Sequence, residues 1–146
     1  MIYTNLTKKA LRIAFDAHKD QVDKDGLPYI HHPIHLAEQM DTEEKIVVAL
    51  LHDVVEDTDL TFEVLESEGF PQTIISALKL LTHDDDSDYC EYVHRIKSNP
   101  LAACVKLADL QHNSDSGRLA SLPPETADRL SKKYAEAIRI LKTASM

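Results

Sequence analysis

Apolar residues recur along this chain at three- and four-residue intervals, the spacing of helices packed on one face. Leu6, Ala10, Ile13, Ala14 and Ala17 predict a first helix from about Thr4 to Asp20, with His18 in its last turn. The turn-rich stretch Asp23-Lys24-Asp25-Gly26-Leu27-Pro28 leads into Tyr29-Ile30-His31-His32-Pro33. Pro33 suits the first position of a short helix to about Met40, which puts His32 at its N-cap beside a rigid neighbour. Asp41 with Glu44 three residues on resembles a capping box and starts a central helix from about Thr42 to Asp57. Thr61 caps a further short helix that ends near Gly69. Pro71 opens another, with Ile74, Ile75, Leu78 and Leu81 on its apolar side, and Tyr92, Val93 and Ile96 mark one running to about Ser98. Asn99-Pro100 then begins a helix in which Leu101, Cys104, Val105 and Ala108 form one stripe, while Asp109 and Asn113 share a second at i and i+4. After Pro123-Pro124, Ala127, Leu130, Tyr134, Ile138 and Leu141 define a final long helix. No stretch alternates with period two and no repeat is present, so the expected architecture is all-α, one compact helical domain over residues 1–146.

The central helix sets the chemistry. At about 100° per residue, His52, Asp53, Glu56 and Asp57 fall on one arc, while Val47, Val48, Leu50, Leu51, Val54 and Val55 fill the rest of the circumference. A helix apolar over most of its surface is expected to be buried. Burying carboxylates and an imidazole costs several kcal/mol per charge unless they are compensated, and a bound cation is a common remedy. Ala49, one turn earlier on the same arc, leaves room beneath such a site. The blander alternative is a solvated acidic helix end, with His52 a satisfied core histidine.

Composition narrows the function classes. A chain of 146 residues with 43% hydrophobic and 28% charged residues has single-domain length and the make-up of a globular protein. No basic N-terminal leader and no apolar run of about 20 residues occurs, so a cytoplasmic setting without membrane insertion is expected. Cys90 and Cys104 are too few for a disulfide framework. A net charge of −9 argues against a nucleic-acid surface, which needs a basic face. It leaves room for a phosphorylated small molecule, because a divalent metal inverts the local potential. With 3 glycines and no Gly-rich phosphate loop, a phosphate would have to be held by metal, basic side chains and helix ends. Oligomeric state leaves no mark in the sequence.

His32, the pair His52-Asp53, and Asp109 offer two imidazoles and two carboxylates on apolar frames. Mixed nitrogen and oxygen ligation with open positions suits manganese, iron or magnesium rather than a closed structural zinc site. Such a metal polarises a phosphoryl oxygen and acidifies water, so hydrolysis of a phosphate ester or anhydride follows. Glu56 and Asp57 are placed to orient that water or shuttle its proton, and Asn113 to reach the substrate. The run His83-Asp84-Asp85-Asp86-Ser87-Asp88 lacks the glycine and distal glutamate of a calcium loop and reads as a solvated loop and helix start. His31, His35, His83, His94 and His112 read as surface groups or neighbours of the ligands, Lys106 and Arg95 as surface groups with phosphate binding as the alternative, and Tyr89 and Tyr92 as packing.

Taken in order, Tyr29-Ile30-His31-His32-Pro33, Leu51-His52-Asp53-Val54-Val55-Glu56-Asp57-Thr58 and Val105-Lys106-Leu107-Ala108-Asp109-Leu110-Gln111-His112-Asn113 resemble the HD-domain hydrolases of the RelA/SpoT type, especially the small stand-alone alarmone hydrolases. The resemblance spans about Lys8 to Leu141. It implies an all-α HD fold, a manganese ion, and removal of the 3′-pyrophosphate from guanosine tetra- or pentaphosphate. By motif, His32, His52, Asp53 and Asp109 resemble the metal ligands and Glu56-Asp57 the catalytic acidic pair. Asn113 matches a nucleotide contact, and Lys24 and Tyr134 look like phosphate-side contacts. The partner is thus a small-molecule nucleotide, and no synthetase domain is expected. Two departures bear on the base. After His18-Lys19-Asp20-Gln21 the family usually carries an arginine that packs on guanine, and here Asp23 stands there; Leu110 replaces the usual basic residue after the motif aspartate. An aspartate has no planar cationic face. A broader HD phosphohydrolase acting on nucleoside monophosphates or other phosphoesters therefore stays open. So does a non-catalytic nucleotide sensor, though the intact Glu56-Asp57 pair speaks against it.

Overall fold

Polar caps and prolines divide the chain where the apolar spacing places them. The computed structural model describes residues 1–83, 86 and 88–143. Its helices are α1 (Asn5–His18), α2 (His31–Glu38), α3 (Glu43–Leu51), α4 (Val54–Asp57), α5 (Phe62–Ser67), α6 (Gln72–Leu81), α7 (Tyr89–Lys97), α8 (Pro100–Asn113), α9 (Ser116–Leu119) and α10 (Pro124–Lys142). Thr4, Thr42, Thr61, Asp88 and Asn99 each accept a backbone N–H of the first turn that follows, satisfying donors that the helix itself leaves unpaired. Gly69, at φ +92°, ends α5 in the left-handed conformation that glycine adopts without strain. No strand forms among the described residues; one antiparallel bridge, Val22 to Pro28, pinches the loop after α1.

The centre of the fold is α3. Ile46, Val47, Val48, Ala49, Leu50 and Leu51 are all buried, and α1, α2, α6 and α8 pack around them. Each such side chain, removed from water, contributes roughly 1.5–3 kcal/mol. The long helix α10 lies along α7 and α8, with Ala137 and Ile140 buried against them.

The elements depart from expectation in three places. Thr42, not Asp41, caps the central helix, and Asp41 instead pairs with Lys45 at 3.2 Å. The central helix does not run unbroken to Asp57: α3 ends at Leu51, and Asp53, at φ −106° and ψ 0°, takes the bridge conformation before α4 begins. His32 is not an N-cap residue but lies within α2, whose cap position is Ile30. Of the acidic run after His83, residues 84, 85 and 87 lie outside the described residues, and Asp88 caps α7.

Candidate active site

The break after α3 matters because it sits where three helices converge. α2 carries His32, the end of α3 carries His52, the junction carries Asp53, and α8 carries Asp109. One ligand atom from each of the four lies within 4.8 Å of the others. His32 Nε2 is 2.8 Å from Asp109 Oδ1; His52 Nε2 is 2.9 Å from Asp53 Oδ2 and 3.5 Å from Asp109 Oδ1. His32, His52 and Asp109 are buried, at 3%, 5% and 5% exposure.

Hydrogen bonding decides what these groups offer. His52 Nδ1 lies 2.6 Å from the carbonyl oxygen of Ala49, and a carbonyl only accepts, so Nδ1 carries the hydrogen and donates it. The lone pair of the neutral ring is then on Nε2, buried, without a hydrogen-bond partner and facing two carboxylates. Lone pair against carboxylate is repulsive unless a proton or a metal cation stands between them. Burial alone would lower the pKa of His52, but the neighbouring carboxylates, Asp53 first and then Asp109, outweigh it and push it well above the usual 6.5. Asp109 is driven the other way: burial opposes its charge, and Lys106, His32 and His52 overcome that and hold its carboxyl well below the ordinary range. The same cluster of negative charge that retains a proton on His52 would retain a divalent cation. Two imidazole nitrogens and two carboxylates, with an orphaned buried Nε2, fit such an ion.

Contacts behind this cluster hold it in place. Tyr29 donates its hydroxyl hydrogen to Asp53 Oδ2, and Asn113 Nδ2 donates to Asp109 Oδ1 at 3.1 Å. Lys106 Nζ donates to Asp109 Oδ2 at 3.1 Å and lies over the rings of Tyr92 and Tyr89, 5.4 and 5.9 Å from their centroids. Lys106 is therefore no surface group, since its side chain is only 13% exposed. Its place one turn before Asp109 on α8 was the available signal. Arg95 is exposed as expected, and Tyr92 is packed, with its hydroxyl bonded to the Leu81 carbonyl at 2.5 Å.

Above the cluster opens a cavity of about 610 Å³, into which Asp53, Asp109, Glu56, Asp57, Lys24, Asn113 and Tyr134 all face. His32 and His52 are not among its lining residues. Glu56 and Asp57 are exposed at its edge rather than buried, because the break at Asp53 tips α4 toward solvent. Glu56 Oε1 accepts the backbone N–H of His83 at 2.6 Å. Asp57 has its pKa pushed up to about 6, first by partial burial and then by the charges of Asp53 and Glu56. Gln21 ties α1 to this segment: its Nε2 donates to the Asp57 carbonyl at 2.8 Å, and its Oε1 takes the Nδ1 hydrogen of His18 at 2.7 Å.

Arg118 and Lys133 add charges to the same wall. Asp23 lies on the cavity wall, where it serves its own loop and Arg118. Its Oδ1 accepts the backbone N–H groups of Asp25 and Leu27 at 2.8 and 3.0 Å, closing the turn around Gly26. Its Oδ2 faces Arg118 Nη2 at 3.9 Å. Neither Arg118 nor Lys133 stands in a motif, so nothing local in the sequence marks them.

No family model matches the chain. It is 33% identical, over 95% of its length and 84% of the relative's, to guanosine-3′,5′-bis(diphosphate) 3′-pyrophosphohydrolase MESH1 of Danio rerio. It is 31% identical to the bifunctional (p)ppGpp synthase/hydrolase SpoT of Escherichia coli K12 over 88% of this chain, which spans about a fifth of that relative (20%). A solved structure described as a metazoan ortholog of SpoT that hydrolyzes ppGpp superposes with a TM-score of 0.74 at 26% identity, covering 95% of this chain and 88% of the other. A third of all positions held in common across nearly the full length of both chains, on a shared helical fold, makes this chain a member of the MESH1/SpoT family of guanosine-3′,5′-bis(diphosphate) 3′-pyrophosphohydrolases.

Proposed function

We propose that residues 1–146 form one HD-type domain that hydrolyses a guanosine-3′,5′-bis(diphosphate)-type nucleotide at its 3′-pyrophosphate, using manganese held by His32, His52, Asp53 and Asp109, in the cytoplasm. The observation that carries the reading is the His52 Nε2 lone pair, orphaned and aimed between two carboxylates. A divalent ion bound there would polarise a phosphoryl oxygen and lower the pKa of water.

The chain's own residues supply the rest. In the overall reaction water attacks the phosphorus next to the ribose, the P–O3′ bond breaks, pyrophosphate leaves with the water oxygen, and the ribose O3′ takes up a proton. Asp57 accepts the water's proton. With its pKa at about 6 it is ionised at neutral pH yet basic enough to act, as a general base should be. Glu56, held by the His83 N–H, orients the same water. Lys24, with Lys133 and Arg118 on the same wall, offsets the substrate's negative charge in a protein of net charge −9, and the Tyr134 hydroxyl donates to a phosphate oxygen. Asn113, already bonded to Asp109, couples nucleotide contact to the position of that carboxylate.

The test is phosphorus NMR on metal-stripped protein, with and without manganese, given guanosine and adenosine 3′-pyrophosphates and a panel of nucleoside monophosphates. Pyrophosphate released only with manganese is the expected result, and the guanosine-to-adenosine rate ratio reads what the engagement of Asp23 with its own turn and Arg118 does to base choice. Orthophosphate from monophosphates alone, or bound nucleotide without turnover, would overturn the proposal.

A further inference from the structure

His52 takes its orientation from a backbone carbonyl, but His32 depends on a side chain. Its Nδ1 lies 2.7 Å from Nδ1 of His112, with the ring planes 6° apart and the centroids 4.9 Å apart, the geometry of a hydrogen bond in the plane of both rings. Either nitrogen is a possible donor in isolation. The ligation of His32 decides between them. A neutral imidazole that gives its Nε2 lone pair to a cation beside Asp109 Oδ1, 2.8 Å away, keeps its one hydrogen on Nδ1, so Nδ1 is the donor and His112 Nδ1 takes that hydrogen with its single lone pair. Arg118 Nη1, 2.5 Å from His112 Nδ1, 3.3 Å from His112 Nε2 and 3.0 Å from His32 Nδ1, sets a positive charge against the His112 ring and so disfavours an imidazolium there. Arg118 is itself placed by α9 and by Asp23, 3.9 Å away.

We propose that His112 is a positioning residue for the metal centre: its Nδ1, 2.7 Å away, accepts the Nδ1 hydrogen of His32 and so turns the His32 Nε2 lone pair into the cluster. This rests on the reading of His32 as a metal ligand. A ligating histidine gains basicity and a fixed tautomer from the group that accepts its other N–H. A carboxylate or carbonyl is the usual acceptor, and here it is a second imidazole. The 77- and 80-residue separations of His32 from Asp109 and His112 mean that α8 presents both the candidate ligand and the group that orients its neighbour, one turn apart on the same helix.

The test is manganese binding by electron paramagnetic resonance, measured on wild type, H32A, H112F and H112N, with the melting temperature of each metal-free protein as a folding control. Phenylalanine keeps a flat ring against His32 and His35 but accepts nothing; asparagine restores an acceptor oxygen near the Nδ1 position. Removal of a group behind a metal ligand weakens metal binding by about 10–100-fold, and that loss is expected for H112F. H112N should return to within about threefold of wild type, because its side-chain oxygen accepts the same hydrogen. H112F binding as tightly as wild type, or H112N binding as weakly as H112F, would overturn the inference while the metal-centre reading stands. Undiminished binding by H32A, or no binding by wild type, overturns that reading and this inference with it.

Discussion

Replacing Lys106 with methionine tests whether this site is built around uncompensated negative charge. The Lys106 ammonium is 3.1 Å from Asp109 Oδ2, on a side chain only 13% exposed, and lies over two tyrosine rings. Methionine keeps most of the volume, so the cavity contribution is small; what is lost is the partner of a buried carboxylate. Breaking such a pair costs about 3–5 kcal/mol, and the lower end applies because His32 and Asn113 still contact Asp109 Oδ1. At roughly 2–4 °C per kcal/mol for a domain of this size, K106M should melt roughly 6–12 °C below wild type in EDTA at neutral pH. The sign of the pH effect follows from Asp109, whose folded pKa lies well below its ordinary value. Its contribution is fully present above the unfolded pKa and is lost as pH falls through the folded one. Without Lys106 that folded value rises, so acid unfolding of K106M should begin at a higher pH. Manganese, by supplying positive charge to the same carboxylates, should narrow the gap. Thermal melts followed by circular dichroism across pH, in EDTA and in manganese, measure all three effects. Lys133, exposed and 4.2 Å from the centroid of the Tyr89 ring, is the control, since K133M should cost no more than about 1 kcal/mol. K106M melting within about 2 °C of wild type in EDTA would refute the reasoning.

Asp57→Asn should lower turnover by about 10²–10⁴-fold, the usual contribution of a general base. It should also raise the metal-free melting temperature by a few degrees, since it removes like-charge repulsion with Asp53 and Glu56 on the order of 1 kcal/mol; paired kinetics and melts check both signs. Because Asp57 must be ionised to act and its pKa is pushed up to about 6 in the metal-free protein, the wild-type rate at saturating manganese should fall on the acid side with a midpoint at or below that value, since a cation on Asp53 removes part of the repulsion that raises it; a kcat–pH profile reads this. Manganese at a hundred times its Kd should stabilise the fold by about 2.7 kcal/mol. The resulting upward shift in melting temperature should vanish in H52A. Tyr29→Phe deletes the hydroxyl that donates to Asp53 and should weaken manganese binding about tenfold with the fold intact, as measured by competition with a chelator.

Most helix positions and their caps were legible in the residues themselves, because caps and apolar stripes act between groups three or four residues apart. Thr61, Asn99 and Pro100 sit where they were read, and so do the apolar faces of α6 and α8. The four candidate ligands were also legible, since histidines and aspartates on apolar frames are costly enough to need a reason. The break in the central helix was not. The arc of a continuous helix puts Glu56 and Asp57 with His52 and Asp53, but the bridge conformation of Asp53 interrupts that helix, and Glu56 and Asp57 are exposed.

Lys106 read as a surface lysine because its place one turn before Asp109 is the one local mark it carries. The docking of α8 beside α7 brings Tyr92 and Tyr89 over it. Asp23 read as a missing arginine. Its partner is Arg118, 95 positions later, which reaches it from α9 beside His112 and His32. The sequence by itself determined the helices, the kinds of ligand and the excess of negative charge. Only the tertiary structure decided which charges meet, which carboxylates stay wet and which side chains stand behind His32. Those depend on distances between groups far apart in the chain, and the local rules of helix formation carry no information about them.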